Sequence, residues 1–202
     1  MMRKTAILLS VLLFLGSATF GQALSSADRD KAVQYLEQTR DGVVAATKDL
    51  SEAQMKFKPA PDRWSIEEVV EHITLAEGFL LTNTEEKIMK APAGAPDRDY
   101  VKIDTMVLAM IPDRSHKAQA PGPMVPTDRW TGAEAVDQFL KARAKTIDFL
   151  ETTPDLREHV VTSPPLNQPM DAYEWILFIS AHSERHTKQI LEVKADPNFP
   201  KN

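Results

Sequence analysis

Three histidines have the residue type and the spacing to do chemistry in this chain: His72, His182 and His186. His182 and His186 are four residues apart. On a helix, this spacing places both imidazoles one turn apart on the same face, where they can reach one ion. His72 lies far from them in the sequence, in the run Val-Val-Glu-His-Ile. Neutral imidazole is a common protein ligand for transition metals, so the set indicates a metal site.

Both histidine segments lie on the apolar face of a predicted helix. Steps of three and four residues around the pair read Ala172, Trp175, Ile179, His182, His186, Gln189 and Val193. The same steps around the third histidine read Val69, His72, Ala76, Phe79 and Asn83. Three imidazoles facing a core would be costly to bury without partners, and a metal ion relieves that cost. The alternative is a structural bundle whose neutral histidines form ordinary core hydrogen bonds.

Three histidines leave coordination positions open, as in catalytic sites, whereas closed structural zinc sites take four protein ligands. A divalent cation is therefore expected, with zinc and nickel first, while iron, copper and cobalt would also accept imidazole. The metalloprotease motif, in which Glu directly follows the first His, is absent because Ser183 stands there. Glu184 is rotated about 200° from His182 on a helix, which favours an ion pair over a role as general base.

Five further residues have a functional and a structural interpretation. Glu68 lies one turn before His72 and could orient it, although a capping box explains it equally. Asn83 and Gln189 are polar positions in the apolar seams and could touch water or substrate; a core hydrogen bond is the alternative. His116 could approach the site from a loop, but a solvated loop residue is the simpler interpretation, and His159 is expected at the surface.

The fold class predicted from periodicity is all-α, a four-helix bundle with helices at 26–49, 65–89, 132–151 and 171–194. Capping boxes begin the last three helices. A long Pro-rich insertion, residues 91–130, separates the second and third helices, and we expect it to cover one end of the bundle, over the site. It contains a predicted short helix at 100–111, and residues 159–162 are predicted to be loop.

The N terminus resembles a secretory signal, and residues 1–23 are predicted to be a signal peptide that precedes one domain at 24–202; the alternative is an uncleaved N-terminal anchor. Export to the periplasm or the exterior is therefore expected, with no stable membrane insertion after cleavage. The chain has no cysteine, which excludes disulfides and thiolate ligands. Its net charge is −5 and it has no Lys/Arg run, so nucleic acid is not an expected partner.

Two segments, residues 57–73 and 172–190, resemble the DinB-like (damage-inducible) family of metal-dependent four-helix-bundle proteins. The resemblance implies an open three-histidine site at His72, His182 and His186. It also implies kinship with transferases and isomerases that use mycothiol, bacillithiol or glutathione, and whose metal is thought to activate the thiolate. Relatives often form dimers through helix faces, so a homodimer is compatible with the resemblance. It implies no link to the DNA polymerase that shares the name.

These observations predict a metal-dependent enzyme, a transferase or hydrolase, that activates a thiol or water for attack on a small-molecule electrophile. Low-molecular-weight thiols are chiefly cytosolic. If the protein is exported, water is therefore the alternative nucleophile in place of a thiol. The alternative function is a non-catalytic metal- or ligand-binding protein of the cell envelope, which the lack of an obvious general base beside the ligands favours.

Overall fold

The structure is a computed structural model that describes residues 23–164 and 166–201. Four long helices form the bundle: α1 (Ser26–Thr47), α3 (Ile66–Glu86), α5 (Gly132–Thr152) and α6 (Ala172–Lys194). The four-helix bundle is thus confirmed, and the helix bounds differ from the prediction by three residues or fewer. The predicted signal peptide lies almost entirely outside the described residues.

Side-chain caps explain where the helices begin. Capping boxes start α3, α5 and α6. In each box the side chain of the N-cap residue accepts a hydrogen bond from the backbone N–H of a Glu three positions on, and the carboxylate of that Glu accepts one from the backbone N–H of the N-cap residue. The pairs are Ser65 with Glu68, Thr131 with Glu134, and Asp171 with Glu174. These boxes satisfy backbone donors that have no partner within the helix. Each box is readable from the sequence because all of its atoms lie within four residues.

The helices pack in a ring in which α1 lies between α5 and α6, and α3 lies between the same two helices on the other side. One apolar cluster joins Leu36 of α1 to Leu80, Leu150 and Ile176. A second cluster fills the other part of the bundle around Val43, Val69, Phe139 and Ile190. The site helices α3 and α6 are direct neighbours, so their inward side chains share one interface.

The remaining elements are short. They are α2 (Glu52–Met55), α4 (Tyr100–Met110), 3-10 turns at Ile88–Lys90 and Gly122–Met124, and the strands β1 (Val160–Ser163) and β2 (Gln168–Asp171). The strands pair in antiparallel register, with Val160 opposite Asp171 and Ser163 opposite Gln168. The prediction of loop over 159–162 was therefore wrong for residues 160–162. Two four-residue strands are too short to show period-two alternation, and their stability comes from pairing with each other.

The insertion adopts the predicted helix, since α4 covers Tyr100–Met110 and packs against α6. Ile103 and Val107 are the buried residues on the inner face of α4. Beyond α4 the insertion runs to the start of α5 through the 3-10 turn at Gly122–Met124, which contacts α3. The insertion is thus attached to both helices that carry the histidines.

A buried ionic cluster joins α4, the hairpin and the start of α6. Arg157 pairs with Asp104 at 2.6 Å and with Asp171 at 3.1 Å, and Arg98 pairs with Glu174 at 2.7 Å. Asp171 and Glu174 are fully buried. Each carboxylate there has a guanidinium partner, as buried charges require. Within the described part of the chain, no helix is long and apolar enough to cross a membrane.

Candidate metal centre

The three predicted histidines converge at the interface of α3 and α6. Nε2 of His72 lies 3.2 Å from Nε2 of His182 and 3.2 Å from Nε2 of His186. One ligand nitrogen from each ring lies within 4.8 Å of the other two. Among the described residues, no Asp or Glu joins this group. The geometry is therefore a compact set of three imidazole nitrogens.

The cluster is buried, with one side open. His72 is 3% exposed and His186 is 8% exposed, whereas His182 keeps part of its surface accessible. Trp64 lies against His72 with ring centroids 4.8 Å apart, and Phe178 stacks on His182 at 6.3 Å. Aromatic rings thus wall the site on two sides, and His182 is the one ligand candidate that keeps partly exposed surface.

The hydrogen-bond partners of the Nδ1 atoms, which face away from the cluster, assign the tautomers of two histidines. Nδ1 of His72 lies 2.7 Å from the carbonyl oxygen of Met124, which can only accept, so His72 donates from Nδ1. Nδ1 of His186 lies 2.8 Å from Oε1 of Gln189, and Arg114 donates to the same oxygen at 3.3 Å. Gln189 Oε1 is therefore an acceptor, and His186 also donates from Nδ1. Both neutral rings present a bare Nε2 to the cluster.

Two bare Nε2 atoms 3.2 Å apart direct lone pairs at the same point, which is unfavourable unless a proton or a cation lies between them. A proton is disfavoured there. Burial lowers the pKa of His186 to about 3, with a smaller contribution from repulsion by His72 in its protonated form. Burial also lowers the pKa of His72, and that of His182 well below its usual value. Hence the arrangement suits a cation.

Two of the three nitrogen separations are close to those expected around a tetrahedral ion. Metal–nitrogen distances of about 2.0–2.1 Å place the ligand nitrogens about 3.3–3.4 Å apart. The observed separations from His72 are 3.2 Å. The second ring nitrogens of His72 and His186 each donate to an oxygen, which is the usual outer arrangement of metal-bound histidines. The residues present therefore fit a divalent cation, held by His72, His182 and His186.

Side chains next to the ligands on α6 attach the first part of the insertion. Arg185 donates to the carbonyl oxygens of Asp113 and, at 2.6 Å, of His116. Lys188 donates to the carbonyl oxygen of Pro112 at 3.3 Å. Arg114 in turn forms two hydrogen bonds of 2.6 Å with Glu192. The same turns that present His182 and His186 thus hold residues 112–116 of the insertion.

On α3 the matching anchor is Glu71, the residue before His72. Its fully buried carboxylate accepts from the backbone N–H of Thr127 at 2.9 Å and of Arg129 at 3.3 Å. Met124, which holds His72, lies just before this anchored segment. The insertion therefore crosses the site between anchors on α6 and on α3. Neither Glu71 nor Met124 was expected from the sequence, because each contact involves a backbone group of the insertion, which has no side-chain signature.

The other predicted residues separate into two groups. Gln189 lies at the site, as the hydrogen-bond partner of His186. Glu68 does not contact the histidines: its carboxylate accepts from the backbone of Ser65 and pairs with Lys58 at 2.6 Å, so the capping interpretation is correct. Asn83 is eleven residues beyond His72 on α3, about 16 Å along the helix, which is too far to join the cluster.

Glu184 is not a base at the site, because it accepts from Tyr35 at 2.7 Å and pairs with Lys188 at 2.7 Å. His116 is exposed on the insertion, with Nδ1 2.9 Å from the hydroxyl of Ser115. His159 is half-buried rather than fully exposed, and its backbone forms an isolated β-bridge with Ala93 beside β1. Neither of these two histidines belongs to the cluster.

Comparison with known proteins agrees with this arrangement. The sequence model of the DinB superfamily matches residues 35–190, which include all three histidines. The chain belongs to the DinB superfamily. A curated relative, the uncharacterized protein YuaE of Bacillus subtilis (strain 168), is 26% identical over 148 residues, which cover 73% of this chain and 87% of YuaE.

A solved structure shares the fold of this DinB superfamily member. YfiT from Bacillus subtilis superposes with a TM-score of 0.56 at 14% sequence identity, over 89% of this chain and 93% of its own. YfiT is described as a probable metal-dependent hydrolase with an unusual four-helix bundle topology. At this identity the likeness shows the fold.

Proposed function

We propose that this protein is a metal-dependent enzyme, and a hydrolase in the first instance, with His72, His182 and His186 as the ligands of a divalent cation. The observation that carries the proposal is the pair of bare Nε2 atoms of His72 and His186, 3.2 Å apart in a buried site. The description of YfiT as a probable metal-dependent hydrolase supports it. Zinc and nickel are the proposed ions, since both accept imidazole ligands.

A divalent cation with three neutral protein ligands has positions left for small molecules and supplies a Lewis acid that lowers the pKa of a bound water or thiol. The protein's own residues position and enclose this site. Met124 and Gln189 hold two ligand rings in the tautomer that presents Nε2, and Trp64 and Phe178 exclude water from two sides. The accessible side of His182 is where a small electrophilic substrate would enter.

A thiol-dependent transferase is a variant of the same proposal, in which a small thiol takes the place of water. It uses the same three ligands and the same open side. Assays of metal-loaded protein against activated esters and alkyl halides, each with and without added thiol, separate the two. Turnover that requires the thiol and forms a thioether identifies a transferase, whereas turnover that is independent of thiol identifies a hydrolase.

A non-catalytic metal-binding protein is the second candidate. In the described part of the chain no carboxylate joins the three histidines, and Glu184, the acid between His182 and His186, is engaged by Tyr35 and Lys188. The site thus lacks an evident general base. This candidate predicts stoichiometric metal without turnover on the same panel of substrates.

Elemental mass spectrometry tests the common core of these proposals. The protein is purified without a His-tag or added metal, beside His72→Ala and His182→Ala, with His159→Ala as the matched control outside the cluster. We expect about one equivalent of metal in the parent and the control, and little in the two cluster variants. Near-zero metal in all four proteins, with no uptake on reconstitution, would leave a bundle with buried neutral histidines and refute the proposal.

Three further proposals concern the setting of the enzyme. Its partner is a small molecule rather than nucleic acid, since no Lys/Arg run marks the sequence. It is exported, which N-terminal sequencing of the protein from fractionated cells would test by locating a start near residue 24. A homodimer is proposed on the family resemblance alone, and light scattering on the purified protein would test it.

A further inference from the structure

A single arginine joins all four bundle helices next to the metal centre. Arg143 of α5 is fully buried and forms two hydrogen bonds with Glu77 of α3, at 2.6 and 2.9 Å. It donates to the carbonyl oxygen of Leu36 at 2.5 Å and to the hydroxyl of Thr39 at 2.7 Å, both on α1. It also donates to the hydroxyl of Ser183 on α6 at 2.7 Å.

Two of these contacts lie close to the histidines. Ser183 directly follows His182 on α6, and Glu77 is five residues after His72 on α3, about 7.5 Å along the helix. The guanidinium therefore links the two ligand-bearing helices to each other within two turns of the site. Arg143 itself lies on α5, a helix that carries none of the three histidines.

Register between α3 and α6 decides whether the three Nε2 atoms meet. A slip of one residue moves a helix by about 1.5 Å along its axis, whereas metal–ligand distances vary by only about 0.2 Å. Apolar packing alone tolerates small axial shifts, while a buried charge with directed hydrogen bonds does not. Fixing register is the best-attested role of a buried polar group in a helical core.

We propose that Arg143 is a positioning residue of the metal centre, which fixes the register of α6 against α3 through Ser183 and Glu77. The inference rests on the proposed metal site. The planar guanidinium suits this role because it donates along several fixed directions at once. Through Ser183, α5 then influences the coordination geometry without touching the ion.

Replacing Arg143 itself would leave Glu77 buried without a partner and could unfold the protein, so the test removes single contacts instead. Ser183→Ala removes the contact to α6 and keeps the pair with Glu77. Thr39→Val is the matched control, since it removes an equally short contact of the same guanidinium to α1, which carries no ligand. Both hydroxyls are buried, and each also donates to a carbonyl in its own helix.

The probe is Co²⁺, whose visible spectrum reports coordination geometry, with affinity taken from competition with a chelator. We expect Ser183→Ala to weaken Co²⁺ binding about tenfold, which is the lower limit for losing a direct hydrogen-bond partner of a ligand, and to shift the visible bands. Thr39→Val should lower thermal stability to a similar extent and leave affinity and spectrum as in the parent. No change in Ser183→Ala, or equal changes in both variants, would overturn the inference. Failure of the parent to bind Co²⁺ would overturn the proposed function and the inference with it.

Discussion

The carbonyl oxygen of Met124 accepts a hydrogen bond of 2.7 Å from Nδ1 of His72, so a residue of the insertion sets the tautomer of a residue in the bundle. The insertion therefore contributes a hydrogen-bond partner to the proposed metal centre. This relationship predicts that the attachment of the insertion and the affinity for metal change together.

Loss of the Glu71 anchor tests this coupling. In Glu71→Ala, the backbone N–H groups of Thr127 and Arg129 lose their acceptor, and Met124 loses its support. We expect metal affinity to fall about tenfold or more, and trypsin to cleave faster at Arg129 or Lys117, which are exposed on the freed side of the insertion. Chelator competition and mass spectrometry of the digest measure the two effects. Glu86→Ala, an exposed acid on the same helix, is the control. Unchanged affinity despite faster cleavage would disprove the coupling.

Gln189 offers a direct test of the outer hydrogen bond to His186. Gln189→Leu removes the acceptor for Nδ1, so we expect metal affinity to fall about 10–100-fold. Gln189→Glu keeps an acceptor and gains an opposite charge for Arg114, so affinity should be retained or increased. Competition with a chelator measures both, and Gln34→Leu on the exposed face of α1 serves as the control. Equal losses in the Leu and Glu variants would contradict this role.

The three histidines predict a pH dependence for the metal-free protein. Burial lowers the pKa of His186 to about 3 and lowers those of His72 and His182. Below about pH 6.5 the unfolded chain therefore takes up protons that the folded protein does not. The contribution of the three histidines to the free energy of unfolding is fully present above this pH. It decreases as the pH falls from about 6.5 towards 3.

Urea unfolding of the metal-free protein at about pH 7, 6 and 5 measures this decrease. Carboxylates titrate over part of the same range, so the comparison is a variant that combines His72→Gln, His182→Gln and His186→Gln. We expect the parent to lose more stability than this variant between about pH 6.5 and 5. Parallel pH profiles would show that the histidines do not cause the loss.

The buried pair of Arg143 and Glu77 predicts a large loss of stability. Glu77→Leu removes the carboxylate that accepts two hydrogen bonds from Arg143 and one from Thr146, and leaves a buried cation. We expect the free energy of unfolding to fall by about 3–5 kcal/mol. Urea unfolding measures it, with the exposed residue Glu37 replaced in Glu37→Leu as the control. A loss below about 1 kcal/mol, as for an exposed ion pair, would refute the estimate.

Local patterns account for most of what the sequence predicted correctly. Capping boxes such as Ser65 with Glu68 and a period of three to four residues lie within one helix, so they are readable along the chain. The spacing of His182 and His186 is local in the same sense. The hairpin was missed because the stability of Val160–Ser163 depends on its pairing with Gln168–Asp171.

The sequence by itself determined four amphipathic helices, their starts, the helix in the insertion and three inward histidines. Only the tertiary structure decided that Nε2 of His72 lies 3.2 Å from those of His182 and His186, and that Met124 sets a tautomer. Helical periodicity is set by neighbours a few residues apart. Contacts between α3, α6 and the insertion depend instead on the register of packed helices and on backbone carbonyls, which leave no pattern in the side-chain sequence.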